Sequence, residues 1–162
     1  MKKVMISTIL LSVVFFSFQK AQAHCQIPCG IYHDELRFEM IMEDIETIEK
    51  SMNQINEISK SEDKNYNQLV RWVNNKELHA QKIQDVVSEY FLAQRVKITA
   101  PDDPKYKDYV QSLELLHQMI VYAMKTKQTT DLENVEKLKD ATREYQKLYF
   151  KDHGEGHIKE KK

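Results

Sequence analysis

Both cysteines of the chain, Cys25 and Cys29, stand close together near the N-terminus, and His24 directly precedes the first. The run reads His24-Cys25-Gln26-Ile27-Pro28-Cys29-Gly30-Ile31-Tyr32. Two chemistries suit it. A disulfide can form in an oxidising compartment, although a bridge closing so short a loop adds little stability, because the entropy it removes from the unfolded chain grows with loop length. Alternatively, the two thiolates and the imidazole hold a metal ion. Sulfur and nitrogen donors together select a soft or borderline metal: nickel or copper in a square-planar site, zinc in a tetrahedral one.

What precedes His24 adds a further donor. Lys2 and Lys3 form a short positive region, Val4 to Phe18 is almost wholly apolar, and Ala21-Gln22-Ala23 offers small residues where a signal peptidase reads them. Residues 1–23 are therefore expected to be a cleavable signal peptide, with export to the periplasm or the outside and a signal or maturation peptidase as a partner. The apolar run falls short of the roughly 20 residues that span a bilayer, so no stable membrane insertion of the mature chain is expected. A lipid anchor is disfavoured too, since His24 occupies the position where a lipid-attachment motif needs a small residue. Cleavage before His24 frees an α-amine with a pKa of roughly 7.7 to 8, from which a metal can displace the proton. Amine, imidazole and the Cys25 thiolate can then converge on one ion.

These donors need a scaffold, and the rest of the chain reads as helical. Of 162 residues only three are Gly and three Pro, while 41% are hydrophobic and 30% charged, a balance that favours helices over a turn-rich β fold. Removing 23 residues leaves 139, enough for one compact core. It takes away three of the 24 basic residues and none of the 25 acidic ones, leaving a formal charge of −4 with the charges interspersed. No nucleic-acid partner follows from that balance. Leu36, Ile41, Ile45, Ile48, Met52 and Ile55 outline a first amphipathic helix with Asp34 as its N-cap. Leu69, Val73, Ile83, Val86, Tyr90 and Phe91 outline a second, polar in its middle and ending near Arg95. Pro101-Asp102-Asp103-Pro104 breaks the chain. Tyr109, Leu113, Leu116, Ile120 and Ala123 then mark a third helix, and Leu132, Val135, Leu138, Tyr145 and Leu148 a fourth after Thr129-Thr130-Asp131. Short connections make the neighbours antiparallel, so the fold class is all-α: an antiparallel four-helix bundle over 34–150, preceded by a metal-binding hook over 24–33 and followed by a polar tail over 151–162. His153 and His157 fall in that tail, read as solvated.

The string HCQIPCGIY resembles the N-terminal hook of nickel superoxide dismutases: His-Cys, two variable residues, Pro-Cys-Gly, one variable residue and Tyr. Every fixed position of that pattern is present where proteolysis would expose it, and the helical remainder is similar to the family's four-helix bundle. The resemblance implies one nickel ion per subunit and the conversion of superoxide to dioxygen and hydrogen peroxide by Ni(II)/Ni(III) cycling. It implies that His24 gives its α-amine and, in the oxidised state, its imidazole, that Cys25 gives its thiolate and its own backbone nitrogen, and that Cys29 gives the second thiolate. Pro28 and Gly30 shape the hook, since proline restricts the backbone and glycine permits conformations that other residues resist. Tyr32 matches the tyrosine at the mouth of the metal site, which limits access to small molecules and orients bound anion and water. Glu39 lies where a family carboxylate holds the axial histidine, a contact that fixes the ring and tunes the metal. Tyr90, in Ser88-Glu89-Tyr90-Phe91, resembles a second tyrosine near the site. The sequence departs from the pattern at Gln26, where some members carry an acid, and at Asn75, near the place of a basic helix residue.

The resemblance further implies a homohexamer, and it leaves open a cytoplasmic location after trimming by a dedicated protease. Two rival readings use the same residues. One is an exported nickel or copper carrier without turnover, against which stands Tyr32, placed to gate a reacting metal. The other is a structural helical protein with a Cys25–Cys29 disulfide.

Overall fold

The computed structural model describes residues 34–151. They form α1 (Asp34–Lys60), α2 (Tyr66–Asp85) running on without a break into a π-helical segment (Val86–Arg95), α3 (Tyr106–Gln128) and α4 (Glu133–Lys151). Each helix packs on its neighbours in sequence, and α1 also packs on α4, closing an up-and-down four-helix bundle. No strand occurs among the described residues. Nor is any helix among them long and apolar enough to cross a membrane.

Local chemistry sets the helix starts. The Asn65 side chain accepts the Gln68 amide at 3.2 Å and starts α2. Asp103 accepts the Lys105 amide at 2.7 Å just before α3, and Asp131 accepts the Glu133 amide at 3.0 Å at the head of α4. The expected Pro101–Pro104 and Thr129–Asp131 breaks both fall between helices.

The buried stripe of α1 is Phe38, Ile41, Ile45, Ile48, Met52 and Ile55. Leu36, assigned to that stripe from sequence, is 43% exposed, because it lies two residues, about 200° of helix turn, from Phe38. In α2 the stripe is Lys76, Ala80, Ile83 and, beyond the helix proper, Val87. Leu69 is half-buried and Val73 exposed, so the sequence placed the upper half of this face wrongly. The polar middle of α2 includes Lys76, in a core position at 3% exposure. Its ammonium donates to the carbonyls of Thr126 at 2.6 Å and Lys127 at 2.5 Å, at the C-terminal end of α3. There it satisfies carbonyls that have no partner within their own helix and meets the negative end of the helix dipole.

In α3 the fully covered residues are Leu116, Met119, Ala123 and Thr126, with Leu115 beside them, while Tyr109, Leu113 and Ile120 are half-buried. From α4 come Val135, Leu138, Ala141, Thr142 and Tyr145. The core ends in an aromatic cluster. Phe38 has ring centroids at 4.7 Å from Phe91, 5.7 Å from Tyr145 and Tyr149, and 5.6 Å from Phe150.

Candidate metal centre

The antiparallel course brings the start of α1, the π-helical segment, the start of α3 and the end of α4 to one end of the bundle, immediately over the aromatic cluster. The N-terminal run joins the bundle there, at Asp34. The expected signal peptide, the hook residues His24, Cys25, Pro28, Cys29, Gly30 and Tyr32, and the tail with His153 and His157 lie outside the described residues.

Asp34 is the first residue of α1, and both its carboxylate oxygens are taken by side chains of other elements. Oδ1 accepts the Tyr90 hydroxyl and the Arg95 Nε–H, the latter at 3.0 Å. Oδ2 accepts the Tyr149 hydroxyl at 2.5 Å. Arg95 also donates to the Tyr90 oxygen at 2.7 Å, its guanidinium lying over the Tyr90 ring at 4.5 Å, with Arg37 5.0 Å from the same ring. The N-cap role expected of Asp34 is thus replaced by a tertiary one.

This meeting depends on the π register. Five α-helical residues turn the chain through about 500°, which would put Tyr90 and Arg95 about 140° apart. The wider π turn, with hydrogen bonds from residue i to i+5, returns the fifth residue to nearly the same face. Its mark is the Val96 amide on the Phe91 carbonyl at 3.0 Å, which also ends the segment.

The electrostatics follow from the partners. Burial pulls the Asp34 carboxyl upward, but the hydrogen bonds from Tyr149, Tyr90 and Arg95 and the charge of Arg95 outweigh it and hold its pKa below the ordinary value. Burial and then the bond to Asp34 push Tyr90 up. The same two causes push Tyr149 up further, so both phenols remain donors well into the alkaline range. For Arg95 the burial that disfavours charge is overcome by the Tyr90 and Asp34 contacts.

Beside the cluster opens a cleft of about 570 Å³, lined by Asp34, Arg95, Lys97, Lys105, Asp108, Tyr109, Ser112 and Tyr149 among others. Asp108 in that lining pairs with the Lys151 ammonium at 3.3 Å. Among the described residues its lining carries three cationic side chains, Arg95, Lys97 and Lys105, and two carboxylates, Asp34 and Asp108.

Of the site residues read from sequence, the described part holds two. Tyr90 is 4% exposed and belongs to the Asp34 cluster. Glu39 is exposed one turn into α1, on a surface where Leu36 and Met40 are also open, at 43% and 39%. The structure does not bring Glu39 and Tyr90 together: one lies on the outer face of α1, the other inside. Asn75 sits lower in the bundle, donating to the Ser51 hydroxyl at 3.0 Å. Asp34, Arg95 and Tyr149 were missed as a group. The one available signal was Tyr90 and Arg95 five residues apart at a helix end, a spacing without meaning at the α-helical period.

Among the described residues no group of three or more His, Cys, Asp or Glu side chains could hold a metal ion. Any thiolate site in this protein must use Cys25 and Cys29, since there are no other cysteines. With the imidazole of the adjacent His24, that donor set suits nickel: thiolates and nitrogen donors favour planar Ni(II) and ease its oxidation.

A family model described as nickel-containing superoxide dismutase matches residues 19–153. That span takes in the whole cysteine run as well as all four helices. Neither the search of curated proteins nor that of solved structures gave a match.

Proposed function

The chain belongs to the nickel-containing superoxide dismutase family, and on that premise we propose that its metal centre is the hook of residues 24–33, seated at the bundle end that Asp34 marks. The activity is the family's: two superoxide anions and two protons become dioxygen and hydrogen peroxide, and the cofactor is nickel. Bound nickel supplies the Ni(II)/Ni(III) couple, through which one superoxide is oxidised and a second reduced.

The residues divide the remaining work. Cys25 and Cys29 hold the ion with thiolates, and the electron density these donate makes the higher oxidation state reachable. His24 adds its amine and imidazole, available once residues 1–23 have been removed. Pro28 and Gly30 turn the chain between the ligands. Tyr32, two residues before Asp34, screens the metal from larger molecules and orders the water that delivers protons.

Glu39 accepts a hydrogen bond from the His24 ring. From Asp34 it is about 7.5 Å further along the helix axis, well inside the reach of a ten-residue run. Tyr90 acts from below, through the Asp34 cluster. Cationic side chains in the lining of the cleft, Lys97 among them, draw in the substrate anion.

Export after signal cleavage fits the Lys2-to-Ala23 pattern. Trimming by a dedicated protease in the cytoplasm is the alternative. Assembly as a homohexamer is supported by an open apolar stripe on α2, where Tyr66, Val70 and Val73 are 68%, 56% and 36% exposed at helical spacing. A neighbouring subunit would cover it.

The single observation that carries this reading is the family match extending over both the cysteine run and the helices. Its test is intact mass, metal analysis and superoxide consumption on native protein. The expected result is a chain starting at His24 with one nickel and rapid turnover. Full activity in a chain still extended ahead of His24, or retained in Cys25→Ser, refutes it.

A further inference from the structure

On the proposed reading the hook has a free N-terminus and a single covalent tie to the bundle, the peptide bond into Asp34. How firmly Asp34 is held therefore governs where everything before it can sit. An ordinary helix start needs one side-chain acceptor for its own backbone amides. Here the carboxylate is gripped instead by three donors from two other elements: Tyr90 and Arg95 from the π-helical segment and Tyr149 from α4.

The grip is costly to build. It needs a π-helical segment, whose hydrogen-bond geometry is poorer than that of an α-helix and which recurs at functional sites. It also needs a half-buried ion pair, with the Arg95 and Asp34 side chains 18% and 25% exposed. A helix end that merely had to be stable could be capped by one serine. The arrangement fits a different need, which is to fix a single departure point and direction for the chain that leaves Asp34.

We propose that Asp34, Arg95 and Tyr149 are positioning residues for superoxide dismutation: they clamp the root of the hook so that Tyr32 and the metal ligands take up one pose above the bundle. The proposal rests on the hook reading given above. Their assigned role is to act through the backbone that leads into Asp34, not as ligands of the metal. Supports of this kind commonly change metal-site performance by about 10- to 100-fold when removed.

The experiment uses the full mature chain starting at His24 in four forms: parent, Asp34→Asn, Tyr149→Phe and Lys76→Met. Tyr149→Phe removes one hydroxyl and preserves the ring packing, so it keeps the test alive should Asp34→Asn fold poorly. Lys76→Met loosens the bundle away from the hook root and controls for stability as such. Nickel content, the electron paramagnetic resonance spectrum of the oxidised centre, helix content and kcat/KM are measured on each.

The expected result is that Asp34→Asn and Tyr149→Phe keep their helices and one nickel per chain, yet show a broadened or divided nickel spectrum and a kcat/KM about 10-fold lower. Lys76→Met should keep the parent spectrum. Spectra matching the parent with kcat/KM within about twofold in both clamp variants overturn the proposal, as does a Lys76→Met spectrum altered in the same way. Failure of the hook reading looks different: the parent holds no nickel, or a Cys25→Ser chain retains it, and the clamp then falls with that reading.

Discussion

Lys76 places a charge in the core of the bundle, and replacing it gives a sharp test of how the fold is held. Its ammonium has three bonds: to the Thr126 carbonyl at 2.6 Å, the Lys127 carbonyl at 2.5 Å and the Glu77 carboxylate at 3.1 Å. Lys76→Met keeps the apolar stem and roughly the volume but removes all three. The Glu77 contact is to a side chain 42% exposed and contributes under about 1 kcal/mol. The two carbonyl bonds are charge-assisted, worth about 1.5–3 kcal/mol each, and the Thr126 carbonyl belongs to a fully buried residue that water reaches poorly.

Against these stands the relief of no longer desolvating an ammonium, a gain of several kcal/mol in the same direction as the substitution. The balance predicts a net loss of about 2–3 kcal/mol. For a domain of this size each kcal/mol moves Tm by about 4 °C, so Tm should fall by about 8–12 °C. Thermal and urea unfolding followed by circular dichroism at 222 nm, at one protomer concentration, measures it, with an unchanged urea slope showing that the unfolded state is unaffected. A variant as stable as the parent, or more so, would contradict a net stabilising role for the ammonium. Desolvation would then outweigh the capping of α3, and Lys76 would owe its place to specificity alone.

Three further outcomes are expected. The carboxyl of Asp34 has a folded pKa below its unfolded value, so its contribution to stability is present above about pH 4 and disappears as pH falls through the folded value. The stability gap between parent and Asp34→Asn, followed by urea unfolding from pH 7 downward, should narrow below pH 4, and a gap that widens in acid contradicts the ion pair. Phe38 is fully buried and in ring contact with four aromatic neighbours, so Phe38→Ala should cost about 3–5 kcal/mol in the same unfolding assay, whereas a loss under about 1 kcal/mol would mean the aromatic cluster collapses around the gap. Val70→Asp, at a site 56% exposed in the single chain, should leave helix content intact but lower the mass measured by light scattering, and an unchanged mass would remove the α2 stripe from the subunit contact.

The fold class and the chemistry were legible in the sequence for different reasons. Helices follow from local periodicity, and Ile41, Ile45, Ile48 and Met52 repeat at a spacing that only a helix buries on one side. Connections of a few residues, punctuated by Pro101, Pro104, Asn65 and Asp131, make those helices antiparallel neighbours. The nickel family was legible because the motif that carries the resemblance is a contiguous string, His24-Cys25 followed by Pro28-Cys29-Gly30, so type and order alone carry the meaning. Leu36 was misplaced because it stands out of phase with Phe38 at the start of α1, whereas Val73 keeps the phase of the α2 stripe but lies on the part of that helix where no neighbouring helix among the described residues covers it.

What escaped was everything that depends on distance across the fold. Lys76 reads as a surface residue until α3 brings its two carbonyls against it. Asp34 reads as a helix cap until Tyr90, Arg95 and Tyr149, lying 56, 61 and 115 positions along, close upon its carboxylate. The π turn that aligns Tyr90 with Arg95 is a product of packing, since no local preference favours it over an α-helix. Local order in the chain therefore determined the helices and the contiguous motif that marks the nickel family. Tertiary packing alone decided which charges are buried and which side chains hold Asp34, because those energies arise only between groups that the folded chain has brought together.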